Sequence, residues 1–112
     1  MPSPYPLSND SIEIVKKAIT EALKEVYDPE IPVNIYDLGL IYSISIDPNG
    51  VAKVEMTLTT PGCPVAQTFP GMVETVVSQV SGVSEATVEL VWDPPWTSDQ
   101  MSEAAKLQLG ML

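Results

Sequence analysis

The sequence predicts an α+β fold, a two-layer sandwich in the order α-β-β-α-β-α. A three-stranded mixed sheet should carry the helices on one face. Three observations lead there. Apolar residues recur at helical spacing near the start of the chain. They then alternate in pairs across a tight turn, and both patterns return once more before the end. At 112 residues and 45% hydrophobic content, the chain has room for one core. Folding at this size buries roughly two-thirds of the unfolded surface. Residues 1–9, with three of the eleven prolines, read as a flexible lead-in, and 10–112 as a single domain.

Each element has its own signal. Asp10 with Glu13 three residues later resembles a capping box. Ile12, Val15, Ile19, Ala22, Leu23 and Val26 then align on one helical face, and Asp28-Pro29 should stop the helix. A structured loop, DPEIPVNIYDLGL, follows. Leu40, Tyr42, Ile44 and Ile46 alternate with Ser43, Ser45 and Asp47, which predicts a strand. Asp47-Pro48-Asn49-Gly50 is a turn by composition. Ala52, Val54, Met56 and Leu58 alternate in turn, completing a hairpin with one wet face. Val65, Phe69, Met72, Val73, Val76, Val77 and Val80 keep helical spacing up to Gly82. Pro70 inside that run predicts a kink, or a regular helix starting near Gly71. Ala86, Val88, Leu90 and Trp92 make the third strand, with Trp92 expected in the core. Ser102 should cap a short last helix with Gly110 beyond it.

Charge and composition exclude several functions. Fifteen acids against five lysines and no arginine give a net charge of −10. Such a field repels nucleic-acid backbones and acidic membranes, and it favours basic partners. The GXXG loop of KH-type RNA-binding modules is also missing between the relevant helices. The apolar runs fall far short of the ~20 residues that span a bilayer. The opening MPSPYPLSND lacks the basic-then-apolar order of a signal peptide, so the expected location is the cytoplasm. With no histidine, the commonest general base and the commonest metal ligand are both missing.

The one cysteine, Cys63, lies in TTPGCPVAQ, a strand-to-helix junction. It can be a small buried hydrophobe, a nucleophile or a metal ligand. Helix-terminus electrostatics contributes about 0.3–1 kcal/mol at an exposed site, less than one pKa unit. That leaves a thiol mostly protonated at neutral pH, with no histidine or arginine to lower it further. A nucleophile needs such activation, whereas a bound cation expels the proton by itself. Composition therefore favours a metal-thiolate role over thiol catalysis. Iron–sulfur clusters generally take four ligands, mostly thiolates. One chain supplies one cysteine and a homodimer would supply two, so any cluster must be shared and labile.

Three segments together resemble a known family: DPEIPVNIYDLGLIY (28–42), TTPGCP (59–64), and VWDPPW with MSEAAKLQLG (91–96 and 101–110). They are similar to the small domain shared by the bacterial factor SufT, the phenylacetate-oxygenase maturation protein PaaD and a eukaryotic cytosolic iron–sulfur assembly component. The resemblance covers nearly the whole chain from residue 12. It implies a non-enzymatic accessory factor in iron–sulfur cluster assembly or transfer, with Cys63 as a shared, labile ligand. The partners it implies are the assembly machinery, client apo-proteins and P-loop scaffold ATPases. Asp28, Glu30 and Asp37 match its acidic loop together with Gly39 and Leu40, and Asp93, Pro94, Pro95 and Trp96 match its DPPW segment. PaaD-like members continue into a cysteine-rich tail, so the expectation is the short, SufT-like branch.

The residues themselves allow other roles. Gly39 at the loop-to-strand junction is expected to meet a backbone requirement. Asp28 and Asp37 could simply turn the proline-rich loop. Thr59 and Thr60 could bond a cluster sulfide or the loop backbone. Trp96 is the candidate to cover Cys63 or meet a partner. An acidic interaction adaptor with a structural Cys63, and a thiol-dependent enzyme, stay open as alternatives.

Overall fold

The computed structural model describes residues 6–27, 31–58 and 69–111. The elements follow the expected order: α1 (Asn9–Leu23), β1 (Ile41–Ile46), β2 (Val51–Met56), α2 (Phe69–Ser78), β3 (Glu85–Leu90) and α3 (Glu103–Gln108), with a 3-10 turn at Ser98–Gln100. The sheet order is β1-β2-β3. β1 and β2 are antiparallel, and β2 and β3 are parallel. α1 packs over β1, and α2 over β3. This is the mixed three-stranded sheet that the alternation implied.

Local chemistry accounts for the boundaries. α1 starts two residues earlier than the capping box suggested. Ser8, not Asp10, is its N-cap, and the Ser8 hydroxyl accepts from the Ser11 N–H at 3.2 Å. A serine oxygen reaches an orphan N–H of the first turn as well as a carboxylate does. The helix ends at Leu23, before the Asp28-Pro29 stop, yet Val26 is still buried. In the hairpin turn the Asp47 carboxylate accepts from the N–H groups of Asn49 and Val51, and Gly50 takes φ 81°. Only glycine enters that region cheaply.

Two expectations change and one is met. Pro70 lies in the first turn of α2 as described, Phe69–Ser78, in line with a regular helix starting near Gly71. There its missing N–H has no intrahelical partner to lose. Tyr42 leaves the alternation, because the pairing register shifts between Ile41 and Ser43. Such a bulge re-aims a side chain. Trp92 lies past the end of β3 and is 43% exposed, so it is not a core residue.

The core lies between sheet and helices. Val15, Ile19 and Leu23 of α1 and Val73 and Val77 of α2 meet Ala52, Val54 and Met56 of β2. It extends into the 31–40 loop through Val33, Ile35, Leu38 and Leu40, and into the C-terminal segment through Met101 and Ala105. Ser102 caps α3 as expected, accepting from the Ala105 N–H at 3.1 Å. α3 is tied to the loop: the Gln108 amide donates to the Pro32 carbonyl at 3.1 Å.

Candidate functional site

The 31–42 loop and the C-terminal arm (91–109) close on one another. The loop is built from within by Asn34 and Asp37. The Asn34 side-chain oxygen accepts from the Asp37 N–H, and its amide donates to the Asp37 carboxylate, both at 2.8 Å. An Asx-type turn of this kind orients the carboxylate without help from the rest of the fold. A bridge between Tyr27 and Asn34, together with the Ile35 N–H donating to the Val26 carbonyl at 2.8 Å, fastens the loop to the end of α1.

The arm is bound chiefly through loop carbonyls. Trp96 Nε1 donates to the Leu38 carbonyl at 2.7 Å. The Ser102 N–H donates to the Asp37 carbonyl at 2.8 Å. In the other direction the Tyr42 hydroxyl donates to the Pro94 carbonyl at 2.6 Å, next to the cis Asp93-Pro94 bond. Gln100 Nε2 donates to that same Tyr42 hydroxyl at 3.3 Å. Gly39 makes this approach feasible. It has φ 86°, and a Cβ there would lie 2.8 Å from the Gln100 carbonyl carbon. The backbone requirement anticipated for Gly39 is thus a close approach as well as a positive φ.

Between loop and arm runs an open cleft of about 560 Å³, walled by Tyr36, Ile41, Tyr42 and Pro94 and carrying Asp37 and Ser102. Asp37 is half-buried and is, among the described residues, the only charged group lining it. Lys24 Nζ stands 5.4 Å from the centre of the neighbouring Tyr36 ring, within cation–π range. The cleft thus sets one carboxylate between tyrosines and a proline, a surface suited to contact with a partner.

The structure brings Asp37 and Trp96 into one assembly. Asp93 is exposed beside it, at the start of the arm's proline pair. Trp96 is half-buried, and its N–H is used in holding the loop. Asp28, Glu30, Thr59, Thr60 and Cys63 lie outside the described residues. Among the described residues no three His, Cys, Asp or Glu side chains converge to hold a metal ion.

Sequence reasoning passed over four residues here. Gln100 had a readable signal: Thr97-Ser-Asp-Gln100 is a T-x-x-Q capping box, and it forms, with the Thr97 N–H donating to Gln100 Oε1 at 2.9 Å. Asn34 and Asp37 show the N-x-x-D spacing of a local turn. Tyr42 had no such signal, since only the bulge turns it toward the arm. Thr57, just past β2, is fully buried, and among the described residues its hydroxyl has no hydrogen-bond partner. A buried hydroxyl left so costs about 1–3 kcal/mol.

Fold and site thus define a small α+β domain that presents an acidic loop clamped by its own C-terminal arm. The chain belongs to the iron–sulfur cluster assembly protein family, whose model matches residues 16–90. It is 43% identical over 106 residues to an Fe-S protein maturation auxiliary factor of Porphyromonas gingivalis, covering 95% of this chain and 100% of that one. It is also 43% identical over 86 residues to the auxiliary factor SufT of Staphylococcus aureus, covering 77% of this chain and 98% of that one. Among solved structures, it is similar to a DUF59 domain from Bacillus anthracis. The TM-score is 0.84 at 39% identity, over 94% of this chain and 100% of that one.

Proposed function

We propose that this chain helps mature iron–sulfur proteins as a non-enzymatic accessory factor, with a cluster in transit as its cargo and Cys63 as the ligand. The observation that carries the reading is the extent of the similarity. It runs nearly end to end in both chains against a maturation auxiliary factor, and the sequence offers one thiol and no histidine. Four mostly thiolate ligands hold a cluster, so the remaining ligands come from a partner chain, a second copy or a small thiol. Sharing makes the cargo easy to release, which suits delivery better than storage.

Asp28, Glu30 and Asp37 are the acidic residues that meet the assembly machinery, client apo-proteins or a P-loop scaffold ATPase. Asp93 and Trp96 contribute from the arm that closes on Asp37, and Thr59 and Thr60 precede Cys63 in the chain. The favourable location is the cytoplasm, where thiols stay reduced. Among the described residues no helix is long and apolar enough to cross a membrane.

The test is anaerobic reconstitution with ferrous iron and sulfide. The wild type should gain visible-range absorbance that Cys63→Ser lacks. Equal iron uptake by the two proteins overturns the ligand assignment. Client maturation that survives Cys63→Ser but falls on charge reversal at Asp28 and Glu30 would replace it with an adaptor role.

A further inference from the structure

The cleft between the 31–42 loop and the arm holds a carboxylate that no cation of this chain pairs with. The sequence has no arginine, and all five of its lysines lie among the described residues. The ion pairs among those residues are Lys24 with Glu21 and Lys53 with Glu89. On Asp37 itself, Oδ2 accepts from the Asn34 amide at 2.8 Å, and among the described residues Oδ1 takes no hydrogen bond. The turn with Asn34 thus fixes where the carboxylate stands and leaves one of its oxygens to accept. The carbonyls around it are already engaged: that of Asp37 by Ser102, that of Leu38 by Trp96 and that of Pro94 by Tyr42.

Tyr36, Tyr42 and Pro94 wall the cleft. Aromatic rings attract cations, and Tyr36 already draws Lys24, whose Nζ lies 5.4 Å from the ring centre. Lys24 itself does not line the cleft. One carboxylate between such walls is poor ligation for a metal ion, which gathers several oxygens. It suits an organic cation, and above all a planar one that can stack as well as donate. The cleft's volume of about 560 Å³ is that of a site for a ligand rather than for a single ion.

We propose that this cleft takes an arginine side chain from an exposed segment of a partner protein, its guanidinium donating to Asp37 Oδ1 and stacking on the tyrosine and proline walls. Charge complementarity selects the occupant, since the chain carries a net charge of −10 and its cleft has no cation among the lining residues. Arginine is favoured over lysine because the guanidinium is flat, forked and less strongly hydrated. The inference rests on the reading of Asp37 as a partner-facing residue, and not on the cluster assignment to Cys63.

An amide NMR titration of the full chain without iron tests it, with the capped peptide Ala-Ala-Arg-Ala-Ala as the probe. The wild type should show saturable, millimolar binding, with shifts confined to the loop and the arm. A citrulline peptide, which keeps the shape and drops the charge, should bind about tenfold more weakly, and a lysine peptide about threefold. Asp37→Asn preserves the backbone bonds of the loop and should lose about tenfold. Glu85→Gln, which removes the same charge from the exposed start of β3, should bind like the wild type. Shifts that do not saturate, a citrulline or lysine peptide that binds as well as the arginine one, or equal affinity in Asp37→Asn overturns the proposal. Equal loss in Glu85→Gln does so too, because bulk charge then explains the binding. The citrulline comparison needs only the wild type, so it holds even where the Asp37 variant misfolds. Client maturation that falls in Asp37→Asn without any peptide binding would keep Asp37 as a partner residue and reject arginine as its ligand. With no iron present, the outcome is separate from that of the cluster role.

Discussion

The helix–sheet layer and the loop–arm layer are held together by different physics. In the first, Ile19, Leu23, Val54, Met56, Val73 and Val77 are fully buried and apolar, and the energy is spread over many interchangeable contacts. In the second, Met101 and Ala105 add some apolar burial, but the arm is also fixed to the 31–42 loop by a few directional bonds, among them Trp96 to Leu38 and Ser102 to Asp37. Diffuse packing tolerates a changed methyl group, whereas a tether fails when one atom is removed. The layer that presents the acidic loop is therefore the one most exposed to single substitutions, and the following experiments probe that contrast.

The largest effect should come from Gly39→Ala. The new Cβ meets the Gln100 backbone at a positive φ, so the arm must shift. A loss of about 3 kcal/mol is expected in urea unfolding, with faster amide exchange at Leu38 and Ser102 while β2 stays protected. Exchange that rises equally in β2 and the arm would show that the two layers unfold as one. Next comes Trp96→Phe, which keeps most of the ring but deletes the donor to Leu38. Leaving that carbonyl short of its partner should cost about 1–2 kcal/mol, and no loss of stability would show that the tether is apolar after all. The smallest effect has the opposite sign. Thr57→Val replaces a buried hydroxyl that has no partner among the described residues by a methyl of similar size and should stabilise the fold by about 1 kcal/mol. A drop in melting temperature would mean that the hydroxyl is bonded in solution.

Sequence legibility follows the same division. The alternation of Ala52, Val54 and Met56, the Asp47-to-Gly50 turn and the Ser102 cap depend on neighbours a few residues away, and all three form as expected. The tryptophans read the other way round. Trp92 continued the period of β3 and was expected inside, yet it is exposed beyond the strand. Trp96 fell outside any period, and its N–H secures a carbonyl 58 residues distant. Period-two logic applies only while the ladder lasts, and β3 ends at Leu90, two residues before Trp92. Pro70 was legible for a local reason: a proline fits the first turn of a helix, and α2 as described starts at Phe69. In the candidate site, Asp37 was legible from its motif and its partner Asn34 from spacing, but Tyr42 was not.

The amino-acid order by itself determined the fold class, the hairpin, the acidic balance and the supply of one thiol, because helix and strand periods, turn residues and charge counts are local or additive properties. Only the tertiary structure decided which tryptophan anchors, why Gly39 has no room for a side chain, and that Tyr42 turns to the C-terminal arm. Those features arise where segments distant in the chain meet, and the bond energies that select the meeting leave no periodic trace in either segment.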